Sequence, residues 1–192
     1  SIGMYLALPE IAKAAEKVLG NRISAIYDKS KDCLPAQFAY PLQNRWLLGE
    51  KEQVSIVENN IRFHIDVVKG QKTGFFLDQR DNRSLLGTYS KGKSVLNTFC
   101  YSGGFSLAAL QVGATQVDSV DVSSNAMQLL EDNLLLNEYS AENHTSYTDD
   151  VMKFLRKEEV PQYDIVVLDP PAFAKSMSKR HNAVQGYKRL NV

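Results

Sequence analysis

Four short stretches of this chain end on residues that can do chemistry. Gly103-Gly104 follows residues 94–98, Asp121 closes residues 116–121, Asp150 follows residues 143–147, and Asp169 closes residues 163–169 at the head of Asp169-Pro170-Pro171-Ala172-Phe173. Glycine where a strand turns straight into a helix allows positive φ and lets the backbone come close to a ligand. A carboxylate about 20 positions beyond such a turn is suited to accept hydrogen bonds from the hydroxyls of a ribose. The same carboxylate can instead cap a helix beginning near Ser123 or Ser124. Consecutive prolines fix φ and carry no N–H, so the backbone after Asp169 is stiff and its carbonyls are open acceptors, which suits the amino edge of a nucleobase. One glycine pair or one acid is an ordinary feature of a turn. Gly-Gly, Asp, Asp and Asp-Pro-Pro on consecutive strand ends form a constellation that chance rarely supplies, at the edge where open α/β sheets place their ligands.

These ends need a sheet to bring them together. From residue 71 onward strand-like and helix-like periods alternate, the pattern of a parallel sheet with helical crossovers. Strands are predicted over residues 94–98, 116–121, 143–147 and 163–169, with helices over 105–112, 124–137 and 151–158. Before residue 70 the pattern differs. Residues 9–20 open with Pro9, put Ile11, Ala14, Ala15, Val18 and Leu19 on one face and stop at Gly20, which predicts a helix of about three turns. Residues 22–28, 53–58 and 61–68 read as strands, the last two alternating around an Asn59-Asn60 hairpin turn. The expectation is a small α+β domain over 1–70 followed by an α/β domain over 71–192.

Composition narrows the partners. The 22 Lys and Arg balance 22 Asp and Glu, and 44% of residues are hydrophobic, which fits an ordinary globular protein and argues against a whole-surface attraction to nucleic acid or anionic lipid. Cys33 and Cys100 are too few and too far apart for a disulfide framework or a CxxC metal site, so a reducing, cytoplasmic setting is expected. Apolar runs such as Ile165–Leu168 fall far short of the ~20 residues that span a bilayer, so no membrane partner is expected. His64 and His144 lie on strand patterns without a partner at metal-ligand spacing; they read as structural, and no metal is expected. A local basic stretch stands out beyond the Asp-Pro-Pro segment. Lys175, Lys179, Arg180, His181, Lys188 and Arg189 occur without an intervening acid, as an RNA-phosphate contact requires, although a solvated loop has the same composition.

The strand-end spacing resembles the class I S-adenosylmethionine-dependent methyltransferases, which implies a Rossmann-like parallel sheet and S-adenosylmethionine as cofactor. In that family the Gly-rich turn holds the methionine end, the acid after the second strand the ribose, and the acid after the third the adenine amino group, while the motif after the fourth faces the methyl. Position by position, these are Gly103, Asp121, Asp150 and Asp169. Asn97, Phe99 and Tyr101 stand where an acid and two glycines are usual, and the resemblance then points to Tyr101 and Ser102 for the methionine moiety. A nearer resemblance, over most of the chain, is to the bacterial 23S ribosomal RNA large subunit methyltransferase I family, which makes 5-methylcytosine. It is carried by residues 70–83, with their Thr-Gly-Phe-Phe-Leu core, by 97–105, by 169–173 and by Gly186-Tyr187-Lys188. It implies cofactor contacts from Phe75, Gln79 and Arg80, the last suited to a carboxylate.

That resemblance carries further expectations. Carbon 5 of cytosine is a poor nucleophile, and its methylation usually needs a thiolate to add at carbon 6. The family keeps its cysteine in a later motif, so the nucleophile is expected beyond Val192. The chain is then expected to be a piece of a longer protein, cut at both ends, with weak or absent catalysis of its own. Cys100, in the cofactor turn, reads as a packing residue. Ala172 intervenes between Pro171 and Phe173, an offset from the amino-methylating enzymes that favours a ring-carbon target. Phe173 and Tyr187 can stack a flipped base or sit in a core. Ribosomal RNA, met by Lys175, Lys179, Arg180, Lys188 and Arg189, is the implied partner, together with a homodimer. A guanine N7 ribosomal RNA methyltransferase, a nicotinamide-dependent oxidoreductase and a non-catalytic RNA-binding or dimerisation module remain as alternatives; the oxidoreductase would want three spaced glycines and has no use for Asp-Pro-Pro.

Overall fold

The computed structural model describes residues 1–157, 159, 161–173 and 180–190. The chain divides into two compact units, Ser1–Ile56 with His64–Leu77, and Val57–Phe63 with Asp78–Val192.

The N-terminal part runs α1 (Ile2–Leu6), α2 (Leu8–Leu19), β1 (Ile26–Asp28), α3 (Ala36–Ala39), β2 (Arg45–Leu48), β3 (Gln53–Glu58) and β4 (Ile61–Asp66). A proline in the first turn and Gly20 at φ +51° bound α2, as the sequence requires. Its apolar face is only partly covered, and Val18 is 73% exposed. The strand predicted from residue 22 starts only at Ile26, because Gly20–Arg22 forms a 3-10 turn. β1 pairs antiparallel with β2, and the Tyr27 and Trp46 rings meet at 4.7 Å. β3 and β4 form a two-stranded sheet, with Asn59 and Asn60 at φ +50° and +66° in the turn between them. Asparagine tolerates that left-handed geometry, which matches the twist of a tight hairpin. β4 ends at Asp66, short of the predicted residue 68, because Asp66 Oδ1 accepts the Val68 and Lys69 N–H groups at 2.9 and 2.7 Å and bends the chain.

The larger unit runs α4 (Arg80–Ser90), β5 (Ser94–Thr98), α5 (Gly104–Gln111), β6 (Gln116–Asp121), α6 (Ser124–Leu136), β7 (His144–Thr148), α7 (Val151–Phe154), β8 (Ile165–Leu168) and α8 (Arg180–Leu190). Its four strands are parallel in the order β7-β6-β5-β8, a Rossmann-like sheet. The chain moves outward from β5 to β6 and β7, then returns to lay β8 on the other side of β5. Strand order therefore reverses between β5 and β8, the place where open α/β sheets form a crevice at their carboxyl ends.

Packing follows from the two-residue period of the strands. Leu96 and Val120 face Val151 and Phe154 in one buried cluster, with Phe99, Tyr147 and Tyr163 at its margin. Asp118 on β6 is buried, and its Oδ2 accepts from the Tyr163 hydroxyl at 2.5 Å; burial and this bond push the Tyr163 pKa up. α5 is buried over Ser106–Leu110, so it is apolar nearly all round. α4 lies against α5 closely enough that a Cβ added at Gly87 would stand 3.5 Å from Val112 Cγ1. At the far end of α6, Asn137 Oδ1 accepts the Arg62 N–H at 2.8 Å and its Nδ2 donates to the Arg62 carbonyl at 2.6 Å. One side-chain amide thus meets both backbone groups of a β4 residue. The strands predicted over 143–147 and 163–169 are found at His144–Thr148 and Ile165–Leu168, and the helix predicted over 151–158 stops at Phe154.

Candidate functional site

The turn between β5 and α5 is built from residues that hold unusual backbone angles. Phe99, Tyr101 and Gly103 have φ of +54°, +48° and +80°. Only glycine takes such angles without steric cost, and each non-glycine residue held there costs about 1–3 kcal/mol. The glycines expected at 99 and 101 are absent from the sequence, yet their conformation is kept. Several bonds support it. The Cys100 N–H donates to the Val120 carbonyl at 3.1 Å, the Gly103 N–H to the Cys100 carbonyl at 2.9 Å, and Asn133 Nδ2 to the Ser102 carbonyl at 3.1 Å. A Cβ on Gly103 would come within 2.0 Å of Leu130 Cδ1, so packing as well as φ demands glycine.

Asp121 joins this turn from the end of β6. Its Oδ2 accepts the Tyr101 N–H at 3.0 Å and its Oδ1 the Ser123 N–H at 2.9 Å. The helix cap proper is Ser123, whose Oγ accepts the Ala126 N–H at 3.3 Å. An ionised carboxylate has about four lone-pair sites. With two taken by backbone, Asp121 keeps acceptors for a pair of vicinal hydroxyls, so its donor-acceptor chemistry fits a ribose.

The other acids stand on neighbouring strand ends. Asp150 is exposed and caps α7, Oδ1 accepting the Lys153 N–H at 3.0 Å; the adjacent Asp149 N–H bonds the Asp121 carbonyl at 3.1 Å, which ties the end of β7 to that of β6. Lys157 bonds Asp149 and holds its carboxyl below the usual carboxylate range. Asp169 is exposed directly after β8, and β8 is fastened to β5 by Thr98 Oγ1 donating to the Val167 carbonyl at 2.7 Å. Phe173 and Tyr187 pack on each other edge to face at 4.8 Å, and a Cβ on Gly186 would press on the Phe173 ring at 3.0 Å. The basic stretch is helical from Arg180, with Lys188 and Arg189 exposed in the last turn of α8; Lys175 and Lys179 lie outside the described residues.

The segment 70–83 divides between the two units. Phe75 is buried in the first, where its carbonyl accepts from Thr73 Oγ1 at 3.1 Å. In the second, Gln79 precedes α4 and its Oε1 accepts from Asn82 Nδ2 at 2.7 Å, while Arg80 is exposed. Arg83, one turn further on, meets a carboxylate of the chain itself. Its Nε and Nη2 donate to Glu58 Oε1 and Oε2 at 2.7 and 2.8 Å, with both side chains buried. The Arg83 stem borders the glycine turn, since a Cβ on Gly104 would lie 3.0 Å from Arg83 Cδ. Arg83, Glu58 and Asn133 escape the sequence reading; the one hint is Glu58, an acid at the end of a half-buried strand.

Cys100 is buried against Met127 Sδ at 3.5 Å, and burial, then the Asp121 charge, pushes its thiol pKa far up. Cys33 is exposed in the first unit. His64 Nδ1 bonds Ser55 Oγ at 3.0 Å. Among the described residues no helix is long and apolar enough to cross a membrane, and no cluster of three or more His, Cys, Asp or Glu is suited to a metal ion.

Known proteins resemble this chain in sequence and fold. The profile of the S-adenosylmethionine-dependent methyltransferase family matches residues 23–191. Ribosomal RNA large subunit methyltransferase I of Shewanella denitrificans is 44% identical over 174 residues, 88% of this chain and 43% of the relative. A candidate S-adenosylmethionine-dependent methyltransferase of Streptococcus mutans superposes with a TM-score of 0.75 at 32% identity, over 96% of this chain and 48% of that one. A candidate methyltransferase solved with S-adenosylhomocysteine also gives 0.75, at 30% identity, over 96% of this chain and 49% of that one. The chain thus spans under half the length of these similar proteins.

Proposed function

We propose, from the premise that this chain belongs to the S-adenosylmethionine-dependent methyltransferase family, that it serves the methylation of cytosine carbon 5 in 23S ribosomal RNA and holds the cofactor at the carboxyl edge of its sheet. The observation that carries this reading is the reversal of strand order beside β5, with the glycine turn and Asp121 on one side and Asp169 on the other. The kinship to ribosomal RNA large subunit methyltransferase I supports the substrate class.

When bound, S-adenosylmethionine supplies an electrophilic methyl group on a sulfonium sulfur. Gly103, with Tyr101 and Ser102, holds the methionine end. Asp121 accepts from the ribose hydroxyls, and the Asp150 oxygen that does not cap α7 accepts from the adenine amino group. Gln79 and Arg80, of the same unit, are further candidates for cofactor contacts, with Arg80 suited to a carboxylate. Asp169 and the stiff carbonyls after it accept from the amino edge of the target base. Lys188 and Arg189, with Lys175, Lys179 and Arg180, meet the RNA phosphates. A thiolate is needed to activate carbon 5, and its buried, raised thiol takes Cys100 out of that role.

Isothermal titration with S-adenosylhomocysteine, with NAD as control, tests the cofactor reading. Saturable binding of the first alone is expected, and selective binding of NAD would overturn it. The substrate reading is tested with methyl-labelled cofactor, unmodified 23S ribosomal RNA and a full-length relative: label on cytosine carbon 5 is expected, and label on guanine N7 would overturn it.

A further inference from the structure

Behind the glycine turn, four buried side chains form a line across the sheet. Asn97 Nδ2 on β5 donates to Ser106 Oγ on α5 at 2.8 Å, Ser106 meets Ser119 Oγ on β6 at 2.7 Å, and Ser119 meets His144 Nε2 on β7 at 2.8 Å. Register sets this up: Asn97 is paired with Ser119 and Val117 with His144, so the three strand residues share one face. None of the four is more than 7% exposed.

The protons in this line have a direction. Each hydroxyl carries one proton. Ser106 Oγ receives a proton from Asn97 and has Ser119 as its other side-chain partner, so its own proton goes to Ser119. The Ser119 proton then goes to His144, whose Nε2 must present a lone pair. In this arrangement His144 is neutral with its proton on Nδ1. A proton on Nε2 reverses the line. Nε2–H donates to Ser119 and Ser119 to Ser106, and the Ser106 proton turns to Asn97, which can accept it only on Oδ1 after its amide has turned over. Only Oδ1 and Nδ2 of Asn97 have to exchange places, and Asn97 then changes the group it offers on the side away from Ser106, from an acceptor to a donor.

The charges around His144 set how readily that happens. Burial holds its pKa below the ordinary 6.5, against the opposing pull of Glu131 on α6 and Asp118 on β6. Glu131 is engaged by the Ser146 hydroxyl, and Asp118 by Tyr163 and Gln116.

We infer that His144 is a positioning residue for the cofactor turn: its protonation state sets the orientation of the Asn97 amide at the end of β5 and thereby the affinity for S-adenosyl ligands. The inference rests on the cofactor reading above. Such ligands carry an ammonium group, which favours the acceptor that Asn97 offers while His144 is neutral. Their own carboxyl groups have midpoints below about pH 5 and their amino groups above about pH 7.5, and the ligand titrates alike with every variant, so a change in affinity that disappears in the variants belongs to the protein.

The test is the dissociation constant for S-adenosylhomocysteine at about pH 7.5 and about pH 5, for the wild type, His144→Gln and Ser119→Ala. The wild type is expected to lose about tenfold in affinity on acidification, roughly what one reversed polar contact near a charge is worth. In His144→Gln, which cannot titrate, and in Ser119→Ala, which cuts the line while His144 still titrates, the ratio is expected to shrink to about twofold or less. A histidine of purely structural importance would shift thermal stability without altering that ratio. Should His144→Gln fail to fold, Ser119→Ala carries the test, and nitrogen NMR of the wild type should show Nε2 unprotonated at the higher pH. A ratio that is flat in the wild type, or that persists in both variants, overturns the inference alone. Absence of saturable binding at either pH overturns the cofactor reading and the inference with it.

Discussion

Asp121 Oδ2 lies 3.0 Å from the backbone nitrogen of Tyr101, so the acid at the end of β6 holds a residue of the β5–α5 turn at a positive φ of +48°. Asp121 braces the turn, and in the proposed cofactor reading its remaining lone pairs meet a ribose. Asp121→Ala is expected to weaken S-adenosylhomocysteine binding by about 1–3 kcal/mol, the cost of leaving hydrogen-bond partners unmet. Asp121→Asn, which keeps one acceptor oxygen, should fall between. An unchanged dissociation constant in the alanine variant would remove Asp121 from the site.

Gly103 is constrained twice over, by φ of +80° and by the 2.0 Å approach of Leu130 Cδ1 to any added Cβ. Gly103→Ala should lower stability by about 1–3 kcal/mol from the backbone alone, and more if Leu130 cannot move. Denaturant unfolding would read this directly. A variant as stable as the wild type would mean that the turn relaxes at no cost.

The Glu58–Arg83 pair is bidentate and buried. Removing one partner strands a charge, so Glu58→Ala is expected to cost about 3–5 kcal/mol, while Glu58→Ala with Arg83→Met should recover a large part of that loss. Equilibrium unfolding of both variants is the measurement. Equal losses in the single and double variants would show that packing of the arginine stem, and not its charge, dominates.

Asp164 joins β8 to β5: its Oδ2 accepts the Ser94 N–H at 2.9 Å and the Ser94 hydroxyl at 3.1 Å, with Lys93 beside it. The Ser94 N–H, then its hydroxyl, hold this carboxyl below its ordinary value of 3.8. A carboxyl depressed in the folded state contributes stability that is present above the unfolded value and lost as pH falls through the folded one. The Asp164 titration midpoint by NMR is thus expected below 3.8 and should rise in Ser94→Ala. A wild-type midpoint at or above that value would contradict the assignment.

The parallel sheet was legible because its strands are short apolar runs between helical periods, and β5 and β6 fall where the pattern places them. α4 was not. Its buried residues are Arg83, Gly87 and Ser90, so the face it turns inward is small and polar, and no hydrophobic period marks it. The positions of Gly103 and Asp121 follow from strand ends, which sequence reveals. The bracing by Asn133 and Arg83 depends on partners 31 and 25 residues away, which no local pattern encodes. His144 and Asn97 show the same limit: each looks ordinary alone, and only strand register joins them.

The amide of Asn137 occupies both the N–H and the carbonyl of Arg62 on β4. In a two-stranded sheet each strand has an unpaired edge, and an unpaired edge is a template for another chain. Asn137 acts there as a one-residue mock strand and closes the template at Arg62. The segment whose Asn133 braces the β5–α5 turn thus also withdraws Arg62 from edge-to-edge pairing.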